Sequence, residues 1–128
     1  MSENNKPAVG TIGWHDLTVD NAEEVRDFYQ SVVGWKAESC DVGGYDDFNL
    51  IPPEADEPIA GVCHARGGNA RMPPQWMVYF VVADLDASIA TCEERGGEVV
   101  VAPRGPESGR FCVIRDPAGA VCALWQGG

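Results

Sequence analysis

Two histidines and five cysteines are the side chains of this 128-residue chain best suited to ligate a metal or carry a proton. Imidazole and thiolate both bind metals, and imidazole also exchanges protons near neutral pH. His64 follows Cys63 at the end of a predicted strand, and as a lone histidine without partner ligands it is a weak candidate for a metal ligand. His15 shares strand parity with residues that pack under a helix, so we expect it near the core edge, pointing away from any cavity.

Other catalytic motifs are missing from the sequence. The cysteines are odd in number and contain no Cys-x-x-Cys pair, so we expect reduced thiols that act as small buried hydrophobes. The Gly-Gly pairs at 43–44, 67–68 and 96–97 lie in no phosphate-binding pattern. No Gly-x-Ser-x-Gly nucleophile elbow occurs. The chemistry therefore depends on how the remaining residues are positioned.

A repeat of one structural unit is the feature that positions the remaining residues. The stretch from Trp14 to Gly34 resembles the stretch from Met77 to Gly97, an offset of 77 − 14 = 63 residues. Each copy contains an alternating apolar run, a helix-capping residue, a helical pattern and a terminal glycine. With the strands that follow, the order is β-α-β-β-β twice. We therefore predict an α+β fold, with paired βαβββ modules forming a concave mixed sheet around a cavity.

The boundaries follow from composition. We predict a disordered lead-in at residues 1–9 and one domain at 10–127, with module 1 at about 10–65 and module 2 at about 75–127. Asp20 and Glu23 have the spacing of a capping box for the first helix, and Asp84 is the predicted cap of the second. The predicted apolar face of the first helix contains Val25, Phe28, Tyr29 and Val32.

Charge excludes several partners. The formal net charge is −11, which disfavours binding to nucleic acid or to an anionic membrane surface. No apolar run approaches the roughly 20 residues of a membrane span. The first residues lack the basic-then-apolar pattern of a secretory signal, so we expect a cytoplasmic protein.

Strand alternation predicts which residues line the cavity. The candidate ligand-binding residues are Trp14 and Asp16 on the first strand, Met77 and Tyr79 on the fifth, and Ala123 and Trp125 on the last. This lining is mostly apolar and aromatic, with one carboxylate, as in many small-molecule pockets. The alternative is a core in which these side chains fill the space.

Several motifs together resemble the vicinal oxygen chelate superfamily, which includes glyoxalases, bleomycin-resistance proteins and extradiol dioxygenases. They are Trp-His-Asp-Leu-Thr-Val-Asp at 14–20, Phe-Tyr at 28–29, Gly-Trp at 34–35, Trp-Met-Val-Tyr-Phe-Val-Val-Ala-Asp-Leu-Asp at 76–86, Gly-Gly at 96–97 and Asp-Pro-Ala-Gly at 116–119. More narrowly, the chain is similar to a bacterial subgroup of single-domain members.

The resemblance implies where a metal would be held. Metal-dependent members place one His, Glu or Gln ligand at the start of each module's first strand and one on each module's last strand. Three of these positions hold Trp14, Met77 and Ala123, and the fourth falls on the strand Ile59–His64 in a register that the sequence leaves open. Indole and methyl groups cannot coordinate, and a thioether is a poor ligand for such ions. We therefore predict no cofactor.

Three functions remain open from the sequence. The first is metal-free binding of a small aromatic or planar molecule, as the bleomycin-resistance resemblance implies. The second is a metal-dependent lyase, isomerase or dioxygenase with displaced ligands, drawn from His64, Asp16, Glu54 or Asp56. The third is a ferredoxin-like regulatory domain, which the closing Asp-Pro-x-Gly hairpin disfavours. The resemblance also implies a homodimer.

Overall fold

The computed structural model describes residues 7–127, which form eight strands, two α-helices and a 3-10 turn at Gly67–Asn69. The strands are β1 (Ile12–Val19), β2 (Lys36–Asp41), β3 (Asp46–Ile51), β4 (Ala60–His64), β5 (Trp76–Val81), β6 (Glu98–Arg104), β7 (Gly109–Arg115) and β8 (Val121–Gly127). The helices are α1 (Ala22–Val33) and α2 (Leu85–Glu94). The order β-α-β-β-β, present twice, confirms the predicted α+β class. Within the described range, neither helix is long and apolar enough to cross a membrane.

The chain folds as two compact units. The first unit is His15–Trp76, and the second combines the residues up to Trp14 with those from Met77 onward. In the first unit the strands are ordered β2-β3-β4-β1, with β1 and β4 parallel and the other neighbours antiparallel. In the second unit the order is β5-β8-β7-β6, with β5 and β8 parallel and the other neighbours antiparallel. Each unit is therefore a mixed sheet.

Helix α1 packs on one face of the first unit, and its first residue, the small Ala22, is buried there. The core there contains Ala22, Phe48, Leu50, Ala60 and Val62, with Val19, Val25, Trp35, Ala37 and Trp76 packed around it. Truncating a fully buried leucine such as Leu50 to alanine costs about 2–5 kcal/mol. The predicted apolar face of α1 is only half correct, because Phe28 and Val32 are 56% and 63% exposed. Ala22, Val25 and Tyr29 face the strands instead.

The predicted capping box of α1 is wrong. Asn21 is the N-cap, and its side chain caps no backbone N–H; it donates to the Glu24 carboxylate at 3.0 Å instead. Glu23, which was expected to complete the box, reaches the His64 ring on β4 at 3.1 Å. A tertiary contact to an imidazole thus replaces the local one. The predicted stop at Gly34 is confirmed, since this residue has φ 89° and donates its N–H to Gln30 O.

Helix α2 follows its predicted cap. Asp84 accepts a hydrogen bond from the Ala87 N–H at 3.1 Å, and the Leu85 N–H donates to the Gln126 side chain at 2.7 Å. These two bonds satisfy N–H groups in the first turn, which have no partner inside a helix. The core below α2 contains Leu85, Cys112 and Leu124, with Val82, Ile89 and Ile114 around it. The predicted hairpin after β7 is also present, and Asp116 accepts from the Ala118 and Ala120 N–H groups.

Two paired glycines make room for the Trp125 indole. Gly109 on β7 and Gly127 on β8 are partners in the antiparallel ladder. A Cβ at Gly109 would lie 3.1 Å from Trp125 Nε1, and a Cβ at Gly127 would lie 2.8 Å from Trp125 Cη2. The indole therefore lies across a strip of bare backbone, and any larger residue there must displace it.

We expect Gly127→Ala to destabilise the protein by about 1–3 kcal/mol, the usual cost of forcing extra volume into a packed site. Urea unfolding followed by far-UV circular dichroism measures this cost. In a Trp125→Ala background the same substitution should cost much less, because the clashing ring is gone. Equal costs in the two backgrounds would show that the glycine serves the backbone and not the indole.

Candidate functional site

Four candidate ligand-binding residues share one face of the second unit. In the parallel ladder, Tyr79 pairs with Ala123 and Val81 pairs with Trp125. Met77 alternates with Tyr79, so Met77, Tyr79, Ala123 and Trp125 project to the same side. Helix α2 covers the opposite side, where it contacts Leu124. The side chains of Met77, Tyr79 and Ala123 are buried, and that of Trp125 is half-buried.

Aromatic rings dominate this face. Phe111 on β7 pairs with Trp125 on β8, and its ring centroid lies 5.7 Å from that of Tyr79, with the rings tilted by 54°. The guanidinium carbon of Arg104 on β6 lies 5.0 Å from the Phe111 ring centroid. We call the side of the second unit that carries Tyr79, Phe111, Trp125 and Arg104 the aromatic face. The small Ala123 methyl leaves space on β8 for rings from both neighbouring strands to meet.

Sequence reasoning did not include Phe111 or Arg104 in the site. Phe111 could have been found, because strand alternation places it on the same side as Val113. Arg104 could not, because its neighbours Pro103 and Gly105 favour a loop. In the structure β6 continues to Arg104 through two register shifts against β7. Such irregularities re-aim side chains and have no reliable sequence signature.

A cleft of about 370 Å³ lies beside Trp125. It is lined by Pro7, Val9, Val81, Val82, Ala83, Ser108, Trp125 and Gly127. Most of these side chains are apolar. The N-terminal segment reaches the cleft because Gly10 donates to Val81 O at 2.8 Å and Val81 donates to Thr11 O at 2.9 Å. Of the predicted lead-in, residues 1–6 lie outside the described range, and Pro7 and Val9 line this cleft.

Asp16, the carboxylate of the candidate set, lies in the first unit. It is half-buried on β1, as is Trp14, which belongs to the second unit. The Cys63 thiol on β4 is 3.5 Å from both Asp16 carboxylate oxygens. Burial and then the neighbouring Asp16 charge raise the pKa of the Cys63 thiol far above its ordinary value. Cys63 is therefore a neutral donor to Asp16 and is unsuited to act as a thiolate nucleophile.

His64 is held between two carboxylates. Its Nε2 lies 3.1 Å from Glu23 Oε1 on α1, and its Nδ1 lies 3.2 Å from Asp47 Oδ1 on β3. The His64 backbone N–H also donates to Asp47 Oδ1 at 2.9 Å. The imidazolium form has an N–H on each ring nitrogen and can donate to both carboxylates. This buried group ties α1 to the strands, and neither ring nitrogen is left to coordinate a metal.

The β1–β4 register settles the fourth position that the family resemblance implies for a metal ligand. Asp16 and Tyr79 are equivalent in the repeat, since 16 + 63 = 79. Asp16 pairs with Gly61, just as Tyr79 pairs with Ala123. Gly61 is thus the counterpart of Ala123 and has no side chain. His64 is not at this position and projects toward α1.

The residues at these four positions do not fit a divalent metal. They are Trp14, Gly61, Met77 and Ala123, which offer one thioether among them. Glu54 and Asp56, the other displaced candidates, are exposed between β3 and β4. Among residues 7–127, no three His, Cys, Asp or Glu side chains are grouped so that they could hold a metal ion.

The chain belongs to the Glyoxalase/Bleomycin resistance protein/Dioxygenase superfamily, whose model matches residues 11–124. It is 33% identical over 116 residues to "Putative glyoxylase CFP32" of Mycobacterium tuberculosis, covering 90% of this chain and 43% of that protein. It is 35% identical over 133 residues to the anthracycline biosynthesis protein DnrV of Streptomyces peucetius, covering 94% of this chain and 48% of that protein. The chain thus spans somewhat less than half the length of these curated relatives.

Solved structures share the fold. A Streptomyces coelicolor methylmalonyl-CoA epimerase variant in complex with 2-nitronate-propionyl-CoA has a TM-score of 0.58 at 18% identity, covering 94% of this chain and 96% of that chain. A methylmalonyl-CoA epimerase from Mycobacterium tuberculosis has a TM-score of 0.52 at 18% identity, covering 99% of this chain and 96% of that chain. At this identity the likeness establishes the vicinal oxygen chelate fold and leaves the chemistry to the residues of this chain.

The contact between Glu23 and His64 predicts a pH-dependent stability difference. A bond from its own backbone N–H and then the His64 ring lower the pKa of Glu23 below its ordinary value of 4.5. A lowered pKa stabilises the fold above the ordinary value, and this stabilisation is lost as pH falls through the folded-state value. We therefore expect Glu23→Gln to lower the urea midpoint at pH 7, and the difference from wild type to shrink below pH 4.5.

Glu24→Gln is the matched control, because Glu24 lies in the same helical turn and a glutamine oxygen can still accept from Asn21. If Glu24→Gln and Glu23→Gln lower the midpoint equally at pH 7, helix charge explains the effect and the His64 contact does not.

Proposed function

We propose that the protein binds a small planar aromatic molecule on the aromatic face without a metal. The observation that carries this proposal is the contact between Tyr79 and Phe111 beside the half-buried Trp125. Aromatic walls with few polar groups are typical of small-molecule sites. The cleft beside Trp125 offers space of the right order at about 370 Å³.

The geometry of the rings supports a planar ligand. Tyr79 and Phe111 are tilted against one another and Trp125 packs against Gly109 and Gly127, so their positions are constrained before any ligand arrives. Preformed aromatic surfaces lose little conformational entropy on binding. Each aromatic contact adds about 0.5–1.5 kcal/mol beyond the area that it buries.

The relatives are consistent with this ligand class. DnrV is named as an anthracycline biosynthesis protein, and anthracyclines are built on fused planar rings. Since this chain spans less than half of DnrV, the comparison supports a class of ligand and does not identify one.

Metal-dependent catalysis is the alternative that the family resemblance implies, and one relative is named as a putative glyoxylase. The implied ligand positions of this chain hold side chains that cannot supply a coordination sphere. The displaced ligands do not supply a coordination sphere either, because both ring nitrogens of His64 contact carboxylates, those of Glu23 and Asp47. Binding without a metal therefore accounts better for the residues present.

The test is a fluorescence titration of chelator-treated, metal-analysed protein with planar aromatic compounds. We expect saturable quenching of tryptophan emission with less than stoichiometric metal, and about fivefold weaker binding in Tyr79→Leu, from the loss of about 1 kcal/mol of ring contact. Tyr45→Leu is the control, because Tyr45 contacts His64 in the first unit. Binding that requires one metal ion per chain, and is lost in His64→Ala, would establish the alternative.

We further propose that the protein is a homodimer that uses the exposed side of α1. Phe28 and Val32 are one turn apart, and with Val33 they leave an apolar stripe on the first unit. Strand β2, at one edge of that unit, also presents unpaired backbone groups. A second copy would cover apolar surface that a monomer exposes to water.

Light scattering at tens of micromolar, a range set by ordinary interface affinities, is expected to show a dimer. Phe28→Glu should shift the protein to a monomer with unchanged circular dichroism, because a carboxylate in the interface loses its hydration. Ile59→Glu, at an exposed apolar residue of the same unit outside α1 and β2, should leave the dimer intact. A monomeric wild type at these concentrations would refute the assembly.

A further inference from the structure

Two hydrogen-bond donors meet at one end of the cleft beside Trp125. The Trp125 indole packs against Gly109, with Nε1 3.1 Å from the place where a Cβ of that glycine would stand. Ser108 is the residue directly before Gly109, and it lines the same cleft. Consecutive Cα atoms are only about 3.8 Å apart. The indole N–H and the Ser108 hydroxyl therefore lie at the same end of this cleft.

Neither donor is used inside the protein. Within the described residues 7–127, the Trp125 indole N–H and the Ser108 hydroxyl make no hydrogen bond. The contrast is Trp76, whose indole Nε1 donates to the Tyr29 hydroxyl at 3.0 Å. The half-buried Trp125 thus presents an uncommitted N–H to the cleft, and the exposed Ser108 presents an uncommitted hydroxyl beside it.

Uncommitted donors select a ligand that carries an acceptor. In the free protein both groups are hydrated, and a ligand that displaces this hydration without an acceptor of its own loses the hydrogen bonds. An indole N–H can only donate, whereas a hydroxyl donates or accepts. The atom that satisfies both groups at once is an oxygen with two lone pairs. The carbonyl oxygen of a quinone or an aryl ketone meets this requirement and lies in the plane of the ligand's rings.

The surroundings of the two donors favour an uncharged acceptor. None of the described residues that line the cleft has a charged side chain. The chain as a whole carries a net charge of −11. A carboxylate would lose its hydration here without a cation to offset the cost. A neutral carbonyl oxygen accepts the same two bonds with a much smaller cost of desolvation.

Resting on the proposed function, we infer that the planar ligand is an uncharged ring ketone or quinone, whose carbonyl oxygen accepts from Trp125 Nε1 and from the Ser108 hydroxyl. The N–H points out of the edge of the indole, so the ligand meets Trp125 edge to edge while its rings contact the apolar walls of the cleft. Trp125 and Ser108 are then the residues that determine specificity. Planar hydrocarbons and planar acids of the same shape bind more weakly.

The experiment compares three planar probes of one shape: 9-fluorenone, fluorene, which has a methylene in place of the carbonyl, and 9-fluorenone-2-carboxylate. Binding is measured by calorimetry and tryptophan quenching at pH 7. We expect fluorenone to bind about tenfold tighter than fluorene, as two neutral hydrogen bonds supply, although fluorene is the more hydrophobic probe. The carboxylate should bind about tenfold more weakly than fluorenone, because its charge is unpaired in the cleft.

Variants assign the preference to the two donors. Ser108→Ala and Trp125→Phe should each lower the ratio of fluorenone to fluorene affinity about threefold, and the double variant should abolish the preference. Trp125→Phe keeps an aromatic ring but has no N–H. Ser88→Ala is the control and should leave the ratio unchanged, because Ser88 lies on α2 and lines a different cleft.

The indole signals of wild-type protein provide a test that holds even if a variant fails to fold. The chain has four tryptophans. In protein labelled with nitrogen-15, we expect one indole N–H resonance to move further downfield with fluorenone than with fluorene. If no indole resonance distinguishes the two bound probes, the hydrogen bond from Trp125 is refuted.

The outcomes separate the two proposals. Equal binding of fluorenone and fluorene by wild-type protein overturns the carbonyl inference and leaves planar-ligand binding intact. A ketone preference that survives in the folded double variant also overturns it, as does a carboxylate that binds as tightly as fluorenone. If none of the three probes binds while other planar aromatics do, the ketone class is wrong. If the wider aromatic set also fails, the proposed function itself is refuted.

Discussion

In each unit a single helix covers one face of four strands, and the rest of the structure depends on this constraint. Strand side chains alternate, so every residue of a strand belongs either to the face under the helix or to the opposite face. The faces under α1 and α2 hold the buried cores around Leu50 and Leu85. The side chains of the opposite faces do not pack under a helix, and the candidate ligand-binding residues lie there.

The two opposite faces have diverged although the strands beneath them correspond. The parallel ladders match position by position, with Asp16 beside Gly61 in one unit and Tyr79 beside Ala123 in the other. Two residues further along these strands, Cys63 of β4 corresponds to Trp125 of β8. The first unit therefore presents a carboxylate bonded to a thiol, and the second presents aromatic rings with an arginine. A duplicated backbone thus supports two unlike surfaces, because side chains on these faces are not dictated by the helix that packs behind them.

One buried polar side chain joins the helix of the first unit to its strands. His64 lies at the end of β4, where an apolar side chain could have completed the core, yet it contacts Glu23 of the helix and Asp47 of the neighbouring strand. Burying an imidazole is costly unless its nitrogens are satisfied. Satisfying both fixes the helix against the strands in one orientation. The same contact occupies both ring nitrogens of His64.

The sequence by itself determined the repeat, the order of the strands and helices, the stop at Gly34, the cap at Asp84 and the superfamily. These features are set by residues close in the chain, where periodicity and capping act directly. It also predicted that Tyr79 and Ala123 share a face, since alternation is local. Only the tertiary structure decided that Glu23 binds His64, that Cys63 donates to Asp16, and that Arg104 reaches Phe111. The first two contacts join residues 41 and 47 positions apart. The third depends on two irregularities in β6, because pairing register and strand irregularities are set by the packing of whole elements and are not written in any short stretch of sequence.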